Sequence, residues 1–411
     1  MRNSRRQSIP DSFMSVLVCA AMLMGLGYRP VSAAQEKVGP LEFSPELAVY
    51  EDQPTARSRT VDEIYDLTNN PNLTLPDGYV EIRKQIIKMH KDMGIDVSIM
   101  EKEAFAQRPK TWAMRTPKPL EGEFEMPHSI DSCFYHKIPS DYPRVKLPIG
   151  YIETVHIATV GEGGDGWGFG IAISGAHDPI RDVCGNKMHV RDDAWDFAPA
   201  NNGDKHLIFI DGADKTFLCT WKVRRNGDGY GASYTGGVIP LLTLGDYGGT
   251  NAPHISDLAM MIRKGQLTDP ARGPLKHGVY GPTTKTWFAV VYPAWRTDGN
   301  SMKLSKNNRG LIPYGGIVQL NPAIDLEAYR LDGKPLTLPA KRMLRAIQEY
   351  GWYVNDWGVR DMDFHTNATG VEFDPFGGVK GVDREIRAVV NREQLYSVPP
   401  LVKKAPSAKA K

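Results

Sequence analysis

The sequence predicts a mainly β protein with a few helices. The expected architecture is a β-sandwich or barrel-like sheet carrying a strand–helix–strand element near the C-terminus. Three observations predict this. Gly (40) and Pro (30) are both abundant in 411 residues, which favours many turns. From Ser129 to about residue 300, short apolar runs alternate with Gly, Asp, Asn and Pro; examples are YIETVHIATV, FGIAIS, HLIFIDG, TFLCTWKV and TWFAVVYPAW. Finally, Arg309 to Gly358 reads as strand, helix, strand.

That last stretch is the most legible. Ile312, Val318 and Leu320 suit a buried strand, with a turn at Pro313, Gly315 and Gly316. Pro339 suits the first turn of a helix, and Met343, Leu344, Ile347 and Tyr350 recur on one face of it. Gly351 supplies the left-handed residue that stops the helix. Trp352 and Val354 then share one side of a strand that leaves Asp356 beside a glycine turn.

Residues 1–34 read as a signal peptide. Arg2, Arg5 and Arg6 precede an apolar run from Phe13 to Leu26, and Val31-Ser32-Ala33-Ala34 offers a small-residue cleavage site. The expectation is therefore an exported protein, periplasmic or extracellular, with no membrane anchor. Residues 35–128 read as an N-terminal extension with one amphipathic helix, marked by Tyr79, Ile82, Ile86, Met89 and Met93 and closed by Gly94. Residues 129–358 form the main β-rich domain, in which a short helix is expected at Ile255 to Lys264. Residues 359–398 read as a C-terminal extension packing on that domain, and 399–411 as a disordered basic tail. Outside the leader the cysteines are Cys133, Cys184 and Cys219, which in an oxidising compartment permit one disulfide; a Cys133–Cys184 bridge is expected.

The composition narrows the function. A net charge of +2 gives no electrostatic reason to expect a nucleic-acid partner. The segment GEGGDGWGFG lacks the GK[ST] ending of a phosphate loop, and neither HExxH nor GxSxG occurs. No cofactor or metal is expected.

Several residues remain as candidates for chemistry. His206 follows Asp204 and Lys205 and precedes a strand ending at Asp211, so it could act as a general base; the plainer role is a surface histidine at a turn. His277, in GPLKHG, precedes an aromatic strand, with packing as its plainer role. Tyr314 lies between Pro313 and two glycines, where a ligand can approach the backbone. Asp356 ends a strand, and Arg296 and Arg309 occupy neighbouring loops. A His, a Tyr, an Asp and an Arg in one cleft suit β-elimination from a uronate, in which a base removes the proton α to the carboxylate. They equally suit glycoside hydrolysis, with Asp211 and Asp356 as the carboxylate pair. Trp221, Trp295 and Trp357 are candidates to stack on sugar rings.

The order of these segments resembles a widespread, largely uncharacterised group of secreted β-rich proteins. The shared features are Asp204-x-His206 before a strand, Gly237 to Leu242 ending Pro-Leu-Leu, Gly273 to His277, Pro293-Ala294, Pro313 to Gly315, Tyr350-Gly351, and Asp356 to Gly358. The resemblance implies a secreted β-rich fold and carbohydrate-associated work. The chain departs from the pattern twice. Residues 245–270 look inserted, and Thr220 stands where an acidic partner for His206 is expected.

The expectation is a secreted or periplasmic carbohydrate-active enzyme cleaving a polysaccharide, as glycoside hydrolase or polysaccharide lyase. The alternative is a non-catalytic protein binding a glycan or cell wall on the same fold. An enzyme predicts His206, His277 and Asp356 together in a cleft; a binding module predicts an aromatic platform with those residues scattered.

Overall fold

The computed structural model describes residues 78–95, 97, 127–129, 132–161, 165–199, 204–296 and 310–401. The expected leader, Arg309 and residues 402–411 of the expected tail lie outside the described residues.

The strands form where short apolar runs meet turn residues, and the protein is mainly β with a few helices. The five runs singled out above contain the strands Val155–Val160, Gly170–Ser174, Leu207–Asp211, Thr216–Trp221 and Thr286–Val290. They are distributed over several sheets. A four-stranded sheet runs Tyr234–Pro240, Thr216–Trp221, Leu207–Asp211, Gly170–Ser174, with only the last pair parallel. A five-stranded mixed sheet runs Val145–Lys146, Leu395–Val398, Ile317–Leu320, Trp352–Trp357, Val279–Thr283. Two parallel pairs join segments distant in the chain, Val155–Val160 with Met362–Thr369 and Thr286–Val290 with Ile312–Tyr314. A smaller sheet contains Ile180–Val183 and Asn186–His189.

The strand–helix–strand element is present. Helix α2, Leu338–Glu349, buries Ala340, Met343, Leu344, Ala346 and Ile347, while Tyr350 caps it. Gly351 then adopts φ 90°, and a Cβ there would collide with Ile317 of the neighbouring strand. Glycine is thus required twice over, by conformation and by space. The expected single strand before the helix is two strands, Ile312–Tyr314 and Ile317–Leu320, lying in different sheets on either side of Gly315. Helix α1, Tyr79–Asp92, packs through Ile86, Ile87 and Met89, and also through a buried Arg83. The Arg83 guanidinium lies 4.7 Å from the Trp287 ring centroid and donates to the Gly310 carbonyl. That is how a buried cation keeps its donors satisfied.

Two expectations need correction. Ile255 to Lys264 is not a helix; it runs through turns to an isolated bridge between Ile262 and Thr366. Leu258, Ala259, Met260, Met261 and Ile262 are all buried, so the run has no polar face to present to water. Side chains replace the helical bonds: Asn251 pairs with both the N–H and the C=O of Ile255, and Arg263 donates to the Leu258 and Met261 carbonyls. The Cys133–Cys184 bridge is also absent. Cys133, Cys184 and Cys219 are all free thiols, with Cys133 and Cys219 buried.

Residues 359–398 supply strands to two of the sheets, and helix α3, Gly378–Arg392, buries Val382, Ile386, Val389 and Val390. Among the described residues, no helix is long and apolar enough to cross a membrane.

Candidate functional site

The supposed insertion organises the site. Thr250 closes one side of a loop from Gly249 to Asp257, and its hydroxyl lies 3.1 Å from His206 Nδ1. The same hydroxyl donates to Asp257 Oδ2 at 2.9 Å, and Asp257 also accepts from Thr250 N–H at 2.7 Å and Asn251 Nδ2 at 2.5 Å. A threonine hydroxyl has one proton, and it is given to Asp257. His206 must therefore donate through Nδ1, which sets its tautomer. The carboxylate partner missing at Thr220 is thus supplied at one remove by the insertion, while Thr220 itself donates to the Leu207 carbonyl. Burial lowers His206 to about 4, against the opposing pull of Asp204 and a backbone contact at Thr220, so the ring is neutral at pH 7. Burial also raises Asp257 to about 6 despite its hydrogen bonds.

The other side of this loop draws in further residues predicted from the sequence. Ala252 N–H donates to Asp356 Oδ2 at 3.2 Å, and Arg296 Nε donates to the Ala252 carbonyl at 3.0 Å. Trp295 N–H donates to the Pro253 carbonyl at 2.9 Å, and its indole N–H donates to the Asp246 carbonyl. His206, Asp356, Trp295 and Arg296 therefore all attach to one loop of nine residues.

At the tip of that loop is His254, at φ 67°. Its Nε2 shares a hydrogen bond with the Tyr234 hydroxyl, which also accepts from Arg296 Nη2 at 3.3 Å. The Tyr247 ring stacks on His254 at 5.2 Å and meets Trp295 at 5.2 Å. Trp221 is the cross-strand partner of Tyr234, and its indole N–H is fixed by Asp204 at 2.9 Å. Tyr234, Tyr247, His254, Trp295 and Arg296 are all half-buried, so the cluster reaches solvent. Burial, reinforced by the Arg296 charge, lowers His254 to about 4. A neutral His254 accepts the hydrogen bond of the Tyr234 hydroxyl, and Arg296 brings a positive charge to the same phenol oxygen.

Other sequence candidates lie elsewhere. His277 is 1% exposed, with Nδ1 bonded to the Gly278 carbonyl at 2.7 Å; burial lowers it to about 4. Tyr314 does not project into a cleft. It is fully buried in its strand, because Gly315 lets the chain pack tightly against Val291 and Ala294. Asp211 caps the turn between two strands, five residues from His206 along a strand, or roughly 16 Å. A hydrolytic carboxylate pair is separated by no more than about 9.5 Å, so Asp211 is misplaced to act at the His206 end of its strand. Trp357 is half-buried, and Arg309 falls outside the described residues.

A second polar cluster has no counterpart in the sequence reading. Parallel pairing places Asp363 opposite His156, and His156 Nδ1 lies 2.8 Å from Asp363 Oδ1. The other ring nitrogen bonds Asp165, which also accepts from the N–H groups of Thr159 and Trp167, both at 3.1 Å. Burial pulls His156 down, but the two carboxylates outweigh it and lift the ring to about 10. Carboxylates on both nitrogens require both to donate, so His156 is an imidazolium at neutral pH. Burial raises Asp363, against the opposing His156 charge.

Sequence reasoning missed His254, Tyr234 and Tyr247. The available signal was the dense small-and-polar stretch GDYGGTNAPH, a loop rich enough in Gly and Asn to turn tightly around a ligand. Compared with known proteins, the chain matches no protein-family profile, no curated protein and no solved structure.

Proposed function

We propose that this chain is an exported carbohydrate-active enzyme, and that it cleaves an acidic polysaccharide by β-elimination. The observation that carries this reading is the Tyr234 hydroxyl held between His254 Nε2 and Arg296, beside the Tyr247 and Trp295 rings. Arg296 pairs with the uronate carboxylate and stabilises the charge that develops when the adjacent C–H is broken. Tyr234 removes that hydrogen as its own phenolic proton moves to His254 Nε2 in the same step; the C–O bond β to the carboxylate breaks and a C=C bond forms. The proton held by the dyad is available to the departing oxygen. Pairing of Arg296 with the substrate also relieves part of what suppresses His254 basicity, although burial is the larger cause. The aromatic rings offer faces to the apolar C–H surface of neighbouring sugars.

Elimination is favoured over hydrolysis because Asp211 lies at the far end of its strand. The test incubates the chain from Ala34 onward with alginate, polygalacturonate and glucuronan, reading absorbance at 235 nm together with reducing ends. Both should rise, and Tyr234→Phe should lower the rate by about 10²-fold or more. New reducing ends without absorbance would replace elimination by hydrolysis. A silent panel with retardation in affinity electrophoresis would replace the enzyme by the glycan-binding alternative.

A further inference from the structure

Asp211 has a setting of its own, separate from the Tyr234 cluster. Its side chain is 0% exposed at the end of the strand Leu207–Asp211. Three backbone N–H groups orient it, from His189 at 2.7 Å, Ala213 at 3.0 Å and Asp214 at 3.1 Å. His189 Nδ1 faces both carboxylate oxygens almost equally, at 3.2 and 3.1 Å. A charge-assisted N–H···O bond normally favours one oxygen at about 2.7–2.9 Å. This straddling approach is longer than such a bond. The turn after Asp211 brings up Asp214, whose side chain is exposed. One ligand atom from each of His189, Asp211 and Asp214 lies within 4.8 Å of the others.

The His189–Asp211 spacing can be set against a metal's coordination shell. With metal–ligand bonds of about 2.1 Å, adjacent positions of an octahedron are roughly 3.0 Å apart and opposite ones roughly 4.2 Å. The His189–Asp211 separation matches an octahedral edge, and Asp214 needs only a side-chain rotation to complete a face. One imidazole and two carboxylates suit a borderline first-row divalent ion, and the two carboxylates balance its charge. We propose that His189, Asp211 and Asp214 bind a divalent cation of the Mn²⁺ or Zn²⁺ type, with water in the remaining positions. His189 belongs to the small sheet and Asp211 to the four-stranded one, so the ion cross-links the two sheets.

The experiment uses untagged full-length protein stripped with a chelator, dialysed, and titrated separately with MnCl₂ and ZnCl₂ by calorimetry. Thermal melts run alongside. One equivalent of at least one ion should bind, raising the melting temperature by several degrees. His189→Ala and Asp214→Asn, chosen because these side chains are not fully buried, should each weaken binding at least tenfold. Their circular dichroism without metal should match the parent. Absence of saturable binding by either ion at millimolar concentration overturns the proposal. Binding that both variants retain does so too, because the ion would then sit elsewhere.

Discussion

Replacing His156 by glutamine should cost the protein about 3 kcal/mol at pH 6. Asp363, the carboxylate this ring pairs with, has a side chain only 8% exposed. Breaking a buried pair by deleting one partner leaves an uncompensated charge, which typically costs about 3–5 kcal/mol. A second route gives a similar figure. Lifting a histidine from 6.5 to about 10 is worth roughly 4–5 kcal/mol of preference for the charged ring. The upward displacement of Asp363 by burial shows that part of this gain is offset, so the lower end of about 3 kcal/mol is the better expectation. Because the folded-state value is raised, the contribution is complete below about 6.5 and is lost as pH climbs through about 10. Guanidinium unfolding of parent and His156→Gln from pH 6 to pH 10 should show the gap narrowing steadily with pH. A cost under about 1 kcal/mol at pH 6 would place the trio among ordinary surface ion pairs. A gap that does not change with pH would refute the charged-ring assignment.

Two further outcomes follow from packing. In native protein Cys184, which is half-buried, should react with a thiol reagent, whereas Cys133 and Cys219 should react only after unfolding; burial raises all three thiols, but only Cys184 is within reach of the reagent. Resistance of Cys184, or loss of reactivity without reductant, would indicate a disulfide. Gly281→Ala should destabilise the fold by about 3 kcal/mol or more, because a Cβ there overlaps the Asp363 carbonyl where two strands meet. A thermal shift assay showing an unchanged melting temperature would contradict that close approach.

Much of the fold was legible, for a local reason. Helix α2 and the strand after it carry their signals within a few residues: a proline near the start, a three- and four-residue apolar step, and a glycine stop. The failures share a cause as well. Ile255 to Lys264 was expected as a short helix ended by Gly265, but Ile255 to Ile262 are buried throughout, so the run shows no polar face to water. Tyr314 looked exposed because of its flanking glycines. Those glycines instead let neighbouring backbone come close and seal it in. The same ambiguity applied to His277, which is buried although Gly273, Pro274 and Lys276 beside it are exposed.

The sequence by itself determined many of the strands and the two amphipathic helices at Tyr79–Asp92 and Leu338–Glu349, because alternation, capping and turn chemistry act between near neighbours. It also named the residue types for the proposed chemistry, a His, a Tyr, an Asp and an Arg, and it placed His206, Asp356, Trp295 and Arg296 among the candidates. Only the tertiary structure decided which histidine and which tyrosine meet. Tyr234 and His254 are brought together by a loop that looked like an insertion, and His156 meets Asp363 across 207 residues of chain through one parallel pairing. Register between distant strands is set by the whole core, since shifting a strand by one residue turns every side chain to the other face. No local pattern encodes that choice, and the candidate site depends on it.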